Sequence, residues 1–281
     1  MIAIPSPLFP NAGLHRLRVG IVTETYGPEV NGVAMTVGRL VDGLLARGHS
    51  VQLIRPRQHP RDDPHRDGAL DVWPVAGAAI PFYRDLRIGF PAGRLLLERW
   101  RQAPPDVVHI VTEGPLGHSA LAVARRLRLR VFSGFHTNFH AYSRHYGMGL
   151  LARSIVAYLR RFHNRTDYTL VPTEELATEL RTLGFHRLRV LARGVDTRLF
   201  DPAHRDPALR RSWGASPSDP VALYVGRLAA EKNLQLVLAA YRALRAIRPA
   251  TRLVLVGDGP LAARLQARHP EIVFPGMRIG A

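Results

Sequence analysis

The residues with the clearest chemical potential lie in the stretch YVGRLAAEKNLQLVL, residues 224–238. Arg227 directly follows an apolar run typical of a strand, and Lys232 enters the first turn of a predicted amphipathic helix. A cation in a first turn opposes the helix dipole, so an anion is expected to offset it. The adjacent Glu231 is one candidate. The other is a phosphate held jointly by Arg227, Lys232 and the helix N-terminus.

Lys232 is also the only lysine among the 39 lysine and arginine residues of the chain. A lysine is a compact point charge on a flexible stem, whereas an arginine is a planar fork, so the two are not equivalent at a phosphate. Its occurrence in a chain that otherwise uses arginine indicates that the difference matters at this position, and both Glu231 and a phosphate stay candidates for its partner.

Four further loops follow predicted strands, and each carries residues suited to binding. The loop YGPEVNGVAM contains Gly32 immediately before a helix, where the backbone can approach a ligand. It lacks the G-x-G-x-x-G spacing of dinucleotide enzymes, which argues against an oxidoreductase. The other three loops are TEGPLGHS with Glu113, FHTNFHAYSRHYG with His136 and Asn138, and RGVDTRLFDP.

A metal site is not expected. His136 and His140 have the i, i+4 spacing of a helical metal pair, but no carboxylate accompanies them in a metalloprotease pattern. The chain also has no Asp-x-Asp motif, the pair of carboxylates by which other enzymes hold a metal cation on a diphosphate. The sequence therefore predicts chemistry without a metal or another cofactor.

Short apolar runs alternate with amphipathic stretches from Leu17 onward, which predicts an α/β fold with parallel sheets covered on both faces. In such sheets ligands bind where the loops gather at the carboxyl ends of the strands. Residues 201–220 hold four prolines and read as a connection with one short helix. We expect a loose leader over 1–16, a first domain over 17–200, and a second, incomplete domain over 221–281.

The composition limits the class of protein. With 46% hydrophobic and 22% charged residues the chain is globular rather than disordered. Its net charge of +17 favours anionic partners. Because the arginines are scattered along the chain and form no basic run, no nucleic-acid partner is expected. The absence of cysteine suits a cytoplasmic protein, and the proline-broken leader does not resemble a signal peptide.

The motifs occur in an order that resembles glycosyltransferase family 4, most of all the bacterial GDP-mannose-dependent α-mannosyltransferases that act on glycolipids. They are GPEVNGVAMTVGRLVDGLLARGHSV, HIVTEGPLGHSAL, FHTNFHAYSRHYGMG, RGVDTRLFDP, LYVGRLAAEKNLQLVLAA and LVLVGDGP. The resemblance implies the GT-B fold, in which two Rossmann-like domains serve a metal-independent sugar transfer with retention of configuration.

The resemblance also implies roles for single residues. Arg227 and Lys232 would bind the donor diphosphate and stabilise the charge of its departure, and Gly32 would place its loop against the same diphosphate. His136 would contact the transferred sugar, and Asp258 is a candidate for the nucleoside. The acceptor-side candidates are Glu113, Asn138 and Tyr142.

One departure from the family pattern affects these expectations. Family members carry two glutamates eight positions apart in a later segment, and no glutamate pair here has that spacing. The resemblance is therefore to a C-terminally truncated enzyme. Besides mannose transfer from GDP-mannose, two alternatives remain: a UDP-sugar-dependent glycolipid synthase, and a non-catalytic nucleotide- or nucleic-acid-binding remnant.

Peripheral contact with an anionic membrane at the inner face is a further expectation. The stretch GLLARSIVAYLRRFHNR places Leu151, Ile155, Tyr158, Leu159 and Phe162 on one predicted helix face, with arginines on another. Basic amphipathic helices of this kind lie on anionic lipid. The alternative is a helix packed on the sheet with a solvated basic face.

Overall fold

The computed structural model describes residues 16–29, 31–80, 83–136 and 149–278, excepting the side chains of 83–86 and 149–152. The chain divides into two compact units, Met1–Arg193 and Gly194–Ala281. The predicted leader, except for Arg16, lies outside the described residues. The predicted boundaries near residues 200 and 220 stay predictions.

The first unit is built on an eight-stranded sheet. Its strands are β1 Arg18–Val22, β2 Ser50–Pro56, β3 His65–Asp67, β4 Leu70–Val75, β7 Val107–Ile110, β8 Arg130–Gly134, β9 Tyr168–Val171 and β10 Leu188–Val190. They lie in the order β10-β9-β8-β7-β1-β2-β4-β3, and all neighbouring pairs are parallel except β3 with β4. A separate antiparallel pair consists of β5 Gly77–Ile80 and β6 Tyr83–Gly89. The first two strands are almost wholly buried, as expected for a parallel sheet covered on both faces.

Five described helices cover this sheet. They are α1 Gly32–Ala46, α2 Gly93–Gln102, α3 Pro115–Arg126, α4 Gly149–His163 and α5 Glu174–Thr182. On one side α1 packs Val37 and Val41 against strand residues. In another cluster Trp100 of α2 and Phe162 of α4 lie among buried residues of β1, β2 and β7. Closely packed apolar layers of this kind hold the strand ends, and thus the loops, in fixed positions.

The helix α4 shows how its predicted apolar face is used. Leu159 and Phe162 are buried in core clusters, whereas Ile155 and Tyr158 are exposed by 37% and 46%. The side chain of Leu151 lies outside the described set. One part of the face therefore packs on the protein and another part is presented to solvent.

The second unit contains a three-stranded parallel sheet in the order β11-β12-β13. Its strands are β11 Val221–Val225, β12 Arg252–Val256 and β13 Val273–Gly276, and its helices are α6 Pro207–Ser212, α7 Leu234–Ile247 and α8 Ala262–Arg268. Leu238 and Tyr241 of α7 pack on Leu253 and Leu255 of β12. These elements confirm the predicted strand-helix alternation, and α6 is the short helix expected before β11.

Candidate functional site

The loop after β11 carries both predicted phosphate cations. The strand ends at Val225, a 3-10 turn follows at Ala230–Lys232, and α7 begins at Leu234. Between them Asn233 adopts a left-handed conformation with φ of 48°. The expectation that Lys232 lies in the first turn of the helix is therefore wrong. It precedes the α-helix because the chain turns at Asn233 before the regular hydrogen bonding begins.

Glu231 in this loop contacts Arg227 and not Lys232. Nη1 of Arg227 lies 3.7 Å from Oε1 of Glu231, with side chains 46% and 44% exposed. An exposed pair at that distance contributes little to stability. Lys232 is exposed, and within the described residues its ammonium has no ion pair or hydrogen bond. Glu231 thus contacts the arginine rather than the lysine, which leaves Lys232 available to an outside anion.

Two glycines bring the GDG loop after β12 against this cationic loop. A Cβ on Gly257 would collide with the carbonyl oxygen of Gly226, and one on Gly259 with that of Leu228. Both glycines have positive φ, 140° and 153°, which side chains rarely adopt. Asp258 accepts a hydrogen bond from Leu228 N–H at its carbonyl, 2.8 Å, and from Gly259 N–H at Oδ1, 2.7 Å. The aspartate therefore shapes the loop, and its contact with a nucleoside stays a prediction.

In the first unit, Gly32 begins α1 at the carboxyl edge of the sheet. Asn31 caps the helix, since its Oδ1 accepts from the N–H groups of Val33 and Ala34 at 3.1 and 2.9 Å. The Asn31 amide is held in turn by Thr25 Oγ1, to which it donates at 2.6 Å. The predicted Gly32 loop is thus preorganised by its own side chains.

His136 follows β8, and its ring folds back over Gly134 toward His109. A Cβ on Gly134 would collide with His136 and would lie 3.4 Å from Cε1 of His109. Burial, with the nearby Arg193 guanidinium, lowers the pKa of His136 to about 4. The imidazole is therefore neutral near pH 7, and within the described residues its buried Nδ1 has no hydrogen-bond partner. A neutral imidazole suits a hydrogen bond to a sugar hydroxyl rather than an ion pair with a phosphate.

Glu113 lies after β7, near a second carboxyl group that sequence reasoning missed. Its backbone carbonyl accepts a hydrogen bond from the Tyr158 hydroxyl at 2.5 Å. Glu24, which follows the buried β1, has its pKa raised to about 7, mainly by burial and further by Glu113, while the Leu116 N–H opposes the shift. Its Oε1 accepts from that N–H at 3.3 Å, at the start of α3. The available signal was a carboxylate two residues after a strand whose last four residues are buried.

Other predicted residues cannot be placed. Asn138 and Tyr142, together with His140, lie outside the described residues. Within the described ranges there is no cluster of three histidine, aspartate or glutamate side chains that could hold a metal. Across those same ranges, no helix has the length and apolar character needed to cross a bilayer.

Comparison with known proteins relates these features to a family. The profile of Glycosyltransferase Family 4 matches residues 30–199, and that of Glycosyl transferases group 1 matches residues 206–271. A GDP-mannose-dependent alpha-mannosyltransferase of Mycobacterium tuberculosis is 36% identical over 94% of this chain and 68% of its own length. An alpha-monoglucosyldiacylglycerol synthase of Streptococcus pneumoniae is 30% identical over 93% of this chain and 62% of its own.

Among solved structures, the sucrose-phosphate synthase of Thermosynechococcus elongatus superposes with a TM-score of 0.67 at 16% identity. The superposition covers 94% of this chain and 71% of that one, and at this identity it shows the fold alone. It agrees with the predicted GT-B class, an α/β fold of two Rossmann-like units. Because one profile covers more than half of the chain and the mannosyltransferase matches it almost throughout, the chain belongs to glycosyltransferase family 4.

Proposed function

We propose that this glycosyltransferase transfers a mannosyl group from GDP-mannose to a lipid or glycolipid acceptor with retention of configuration. The observation that carries the proposal is the cationic loop after β11, where Arg227 and the exposed Lys232 lie beside the glycine-shaped GDG loop. The named donor of the M. tuberculosis relative supports GDP-mannose, and the lipid in the name of the S. pneumoniae relative supports a lipid acceptor.

The chemistry assigns tasks to Arg227, Lys232 and His136. An acceptor hydroxyl oxygen forms the new bond to C1 of the sugar, and the bond from C1 to the β-phosphate oxygen breaks. GDP leaves with that electron pair, and the hydroxyl proton passes to the departing phosphate. Arg227 and Lys232 would stabilise the charge that develops on the phosphate, and each such donor contributes about 3 to 4 kcal/mol to the transition state. The neutral His136 would hold a hydroxyl of the sugar.

The test is transfer of label from GDP-[14C]mannose into the organic phase of a lipid extract by the 281-residue chain. We expect Arg227→Ala to lower the rate by about 100-fold or more. Arg242→Ala, on an exposed position of α7, is the matched control and should keep the rate. Absence of label in lipid under all conditions would contradict the proposal, whereas product formation would contradict a non-catalytic remnant.

A second donor is supported by the alpha-monoglucosyldiacylglycerol synthase relative, whose name specifies a glucosyl product. The same assay with UDP-[14C]glucose separates the two donors. A higher rate with UDP-glucose than with GDP-mannose would replace the mannose assignment with the glucose assignment.

Contact with an anionic membrane, at the inner face of the cytoplasmic membrane, is part of the proposal. On α4, the exposed Ile155 and Tyr158 lie on the same helix as the exposed Arg153 and Arg161. Apolar side chains beside cations are the combination with which interfacial helices bind anionic lipid.

Vesicle sedimentation tests this contact. Binding should require anionic lipid and should fall when Arg153 and Arg161 are both changed to glutamate. The control changes Arg242 and Arg245 of α7 to glutamate, which alters the net charge equally. Equal loss in both variants, or binding to neutral vesicles, would contradict a specific role of α4.

A further inference from the structure

Arg193 reaches from one edge of the first sheet to its middle. It follows β10, the edge strand, which is four strand spacings from β1, or about 19 Å. Its Nη1 nevertheless lies 4.0 Å from the position that a Cβ on Gly32 would occupy, at the start of α1. The segment after β10 therefore crosses the carboxyl edge of the sheet and delivers a guanidinium to the loop after β1.

This guanidinium has no partner in the described part of the chain. Arg193 is exposed, and no hydrogen bond or ion pair is formed by its side chain there. An exposed arginine at the carboxyl edge of a parallel sheet, with no ion pair among the described residues, is suited to bidentate binding of an external anion.

The neighbouring histidine does not compete for that anion. His136 is close enough to Arg193 for the guanidinium to disfavour a second positive charge on the imidazole. Arg193 is thus the cationic group at this point, and His136 remains a neutral hydrogen-bonding group beside it. An anion at Arg193 and a hydroxyl at His136 would be neighbouring parts of one substrate.

We propose that Arg193 binds an anionic substrate group, a phosphate, between Gly32 and His136. The inference rests on the proposed function and adds to it a phosphate ligand supplied by the first unit. The phosphate could belong to the nucleotide-sugar donor or to the headgroup of the lipid acceptor. The chemistry at Arg193 is the same for both, and the experiment separates them.

The first arm compares GDP with guanosine by calorimetry in the wild type, Arg193→Ala, Arg193→Lys and Arg198→Ala. A donor phosphate contact predicts that Arg193→Ala weakens GDP binding about tenfold, equivalent to about 1.4 kcal/mol, and leaves guanosine unchanged. Arg193→Lys should lie between, since it keeps the charge without the fork. Arg198→Ala removes an exposed arginine of the same segment and should bind GDP as the wild type does.

The second arm measures the KM for the lipid acceptor in the same variants. If GDP binding is unchanged and the acceptor KM rises about tenfold only in Arg193→Ala, the phosphate belongs to the acceptor. If neither quantity changes in Arg193→Ala relative to Arg198→Ala, the inference is overturned.

A third measurement keeps the inference separate from the proposed function. Inorganic pyrophosphate is titrated into chains carrying Arg227→Ala and Lys232→Ala, so that the cations of the second unit do not contribute. At low salt we expect pyrophosphate to raise the melting temperature when Arg193 is present and to raise it less with Arg193→Ala. Equal shifts would refute the role of Arg193 even in a chain that transfers mannose, and a shift that depends on Arg193 would support it even in a chain that does not.

Discussion

The buried histidines of the first unit predict a loss of stability in mild acid. His109 and His163 are only 8% and 1% exposed, and burial lowers their pKa values from 6.5 to about 4 and about 3. Within the described residues, Nδ1 of His109 and Nε2 of His163 have no hydrogen-bond partner. An added proton on either ring would therefore be buried without compensation.

The sign and size follow from the difference between the folded and unfolded states. Below pH 6.5 these two imidazoles bind protons in the unfolded chain, whereas in the folded chain they stay neutral until the pH falls to about 4 or lower. The free energy of unfolding therefore falls as the pH falls. Between pH 7 and pH 5 each of the two histidines removes about 2 kcal/mol, or about 4 kcal/mol together. Glu24 acts in the opposite direction, because its pKa is raised to about 7. The wild-type curve alone is therefore not diagnostic.

The assay is urea unfolding at pH 5, 6 and 7, followed by the fluorescence of the buried Trp73 and Trp100. In His163→Phe the Ser133 hydroxyl keeps Thr166 and Thr169 as partners, at 3.0 and 3.1 Å. We expect the drop in unfolding free energy from pH 7 to pH 5 to be about 2 kcal/mol smaller than in the wild type. His186→Gln, at an exposed position, is the control. Equal pH dependence in His163→Phe and the wild type would refute the reasoning.

Three further changes test other parts of the structure. Gly257→Ala should lower the unfolding free energy of the second unit by about 2 kcal/mol or more, because the new Cβ would collide with the Gly226 carbonyl and the backbone φ is positive. Urea unfolding followed by Trp213 fluorescence measures the loss, and an unchanged urea midpoint would contradict the prediction. Gly38→Ala, inside α1 with open space around it, should instead stabilise the first unit by about 1 kcal/mol in the same type of experiment. Asp62→Asn leaves the buried Arg55 guanidinium without its ion-pair partner and should lower the free energy of unfolding by about 3 to 5 kcal/mol. A decrease below about 1 kcal/mol would show that the pair is not buried in solution.

The alternation of apolar runs and amphipathic helices predicted the parallel strands other than β4, because that pattern reflects burial on both sheet faces. The strand β4, Leu70–Val75, pairs in parallel with β2 and was not predicted. The alternation did not indicate β3, whose three residues His65–Asp67 are all exposed and polar. Nor did it indicate the antiparallel pair of β5 and β6, which begins with the small residues of Gly77–Ile80. Such strands form through pairing with a neighbour rather than through a periodic pattern of their own.

The cations after β11 could be predicted because their spacing is local, within one loop. The 3-10 turn that ends at Lys232 could not, since it depends on the left-handed conformation of Asn233. Arg193 lies far from Gly32 in sequence, and only the path of the chain across the sheet edge brings the two together. Glu24 could not be predicted either, because its raised pKa depends on burial beside the start of α3, which only the folded chain provides.

The central claim is that Lys232 binds the donor diphosphate, and calorimetric titration of GDP and UDP into the wild type and Lys232→Ala tests it most directly. We predict that GDP binds more tightly than UDP and that its affinity falls at least about tenfold in Lys232→Ala, equivalent to about 1.4 kcal/mol. Arg242→Ala should bind GDP as the wild type does. Equal GDP affinity in the wild type and Lys232→Ala would contradict the claim.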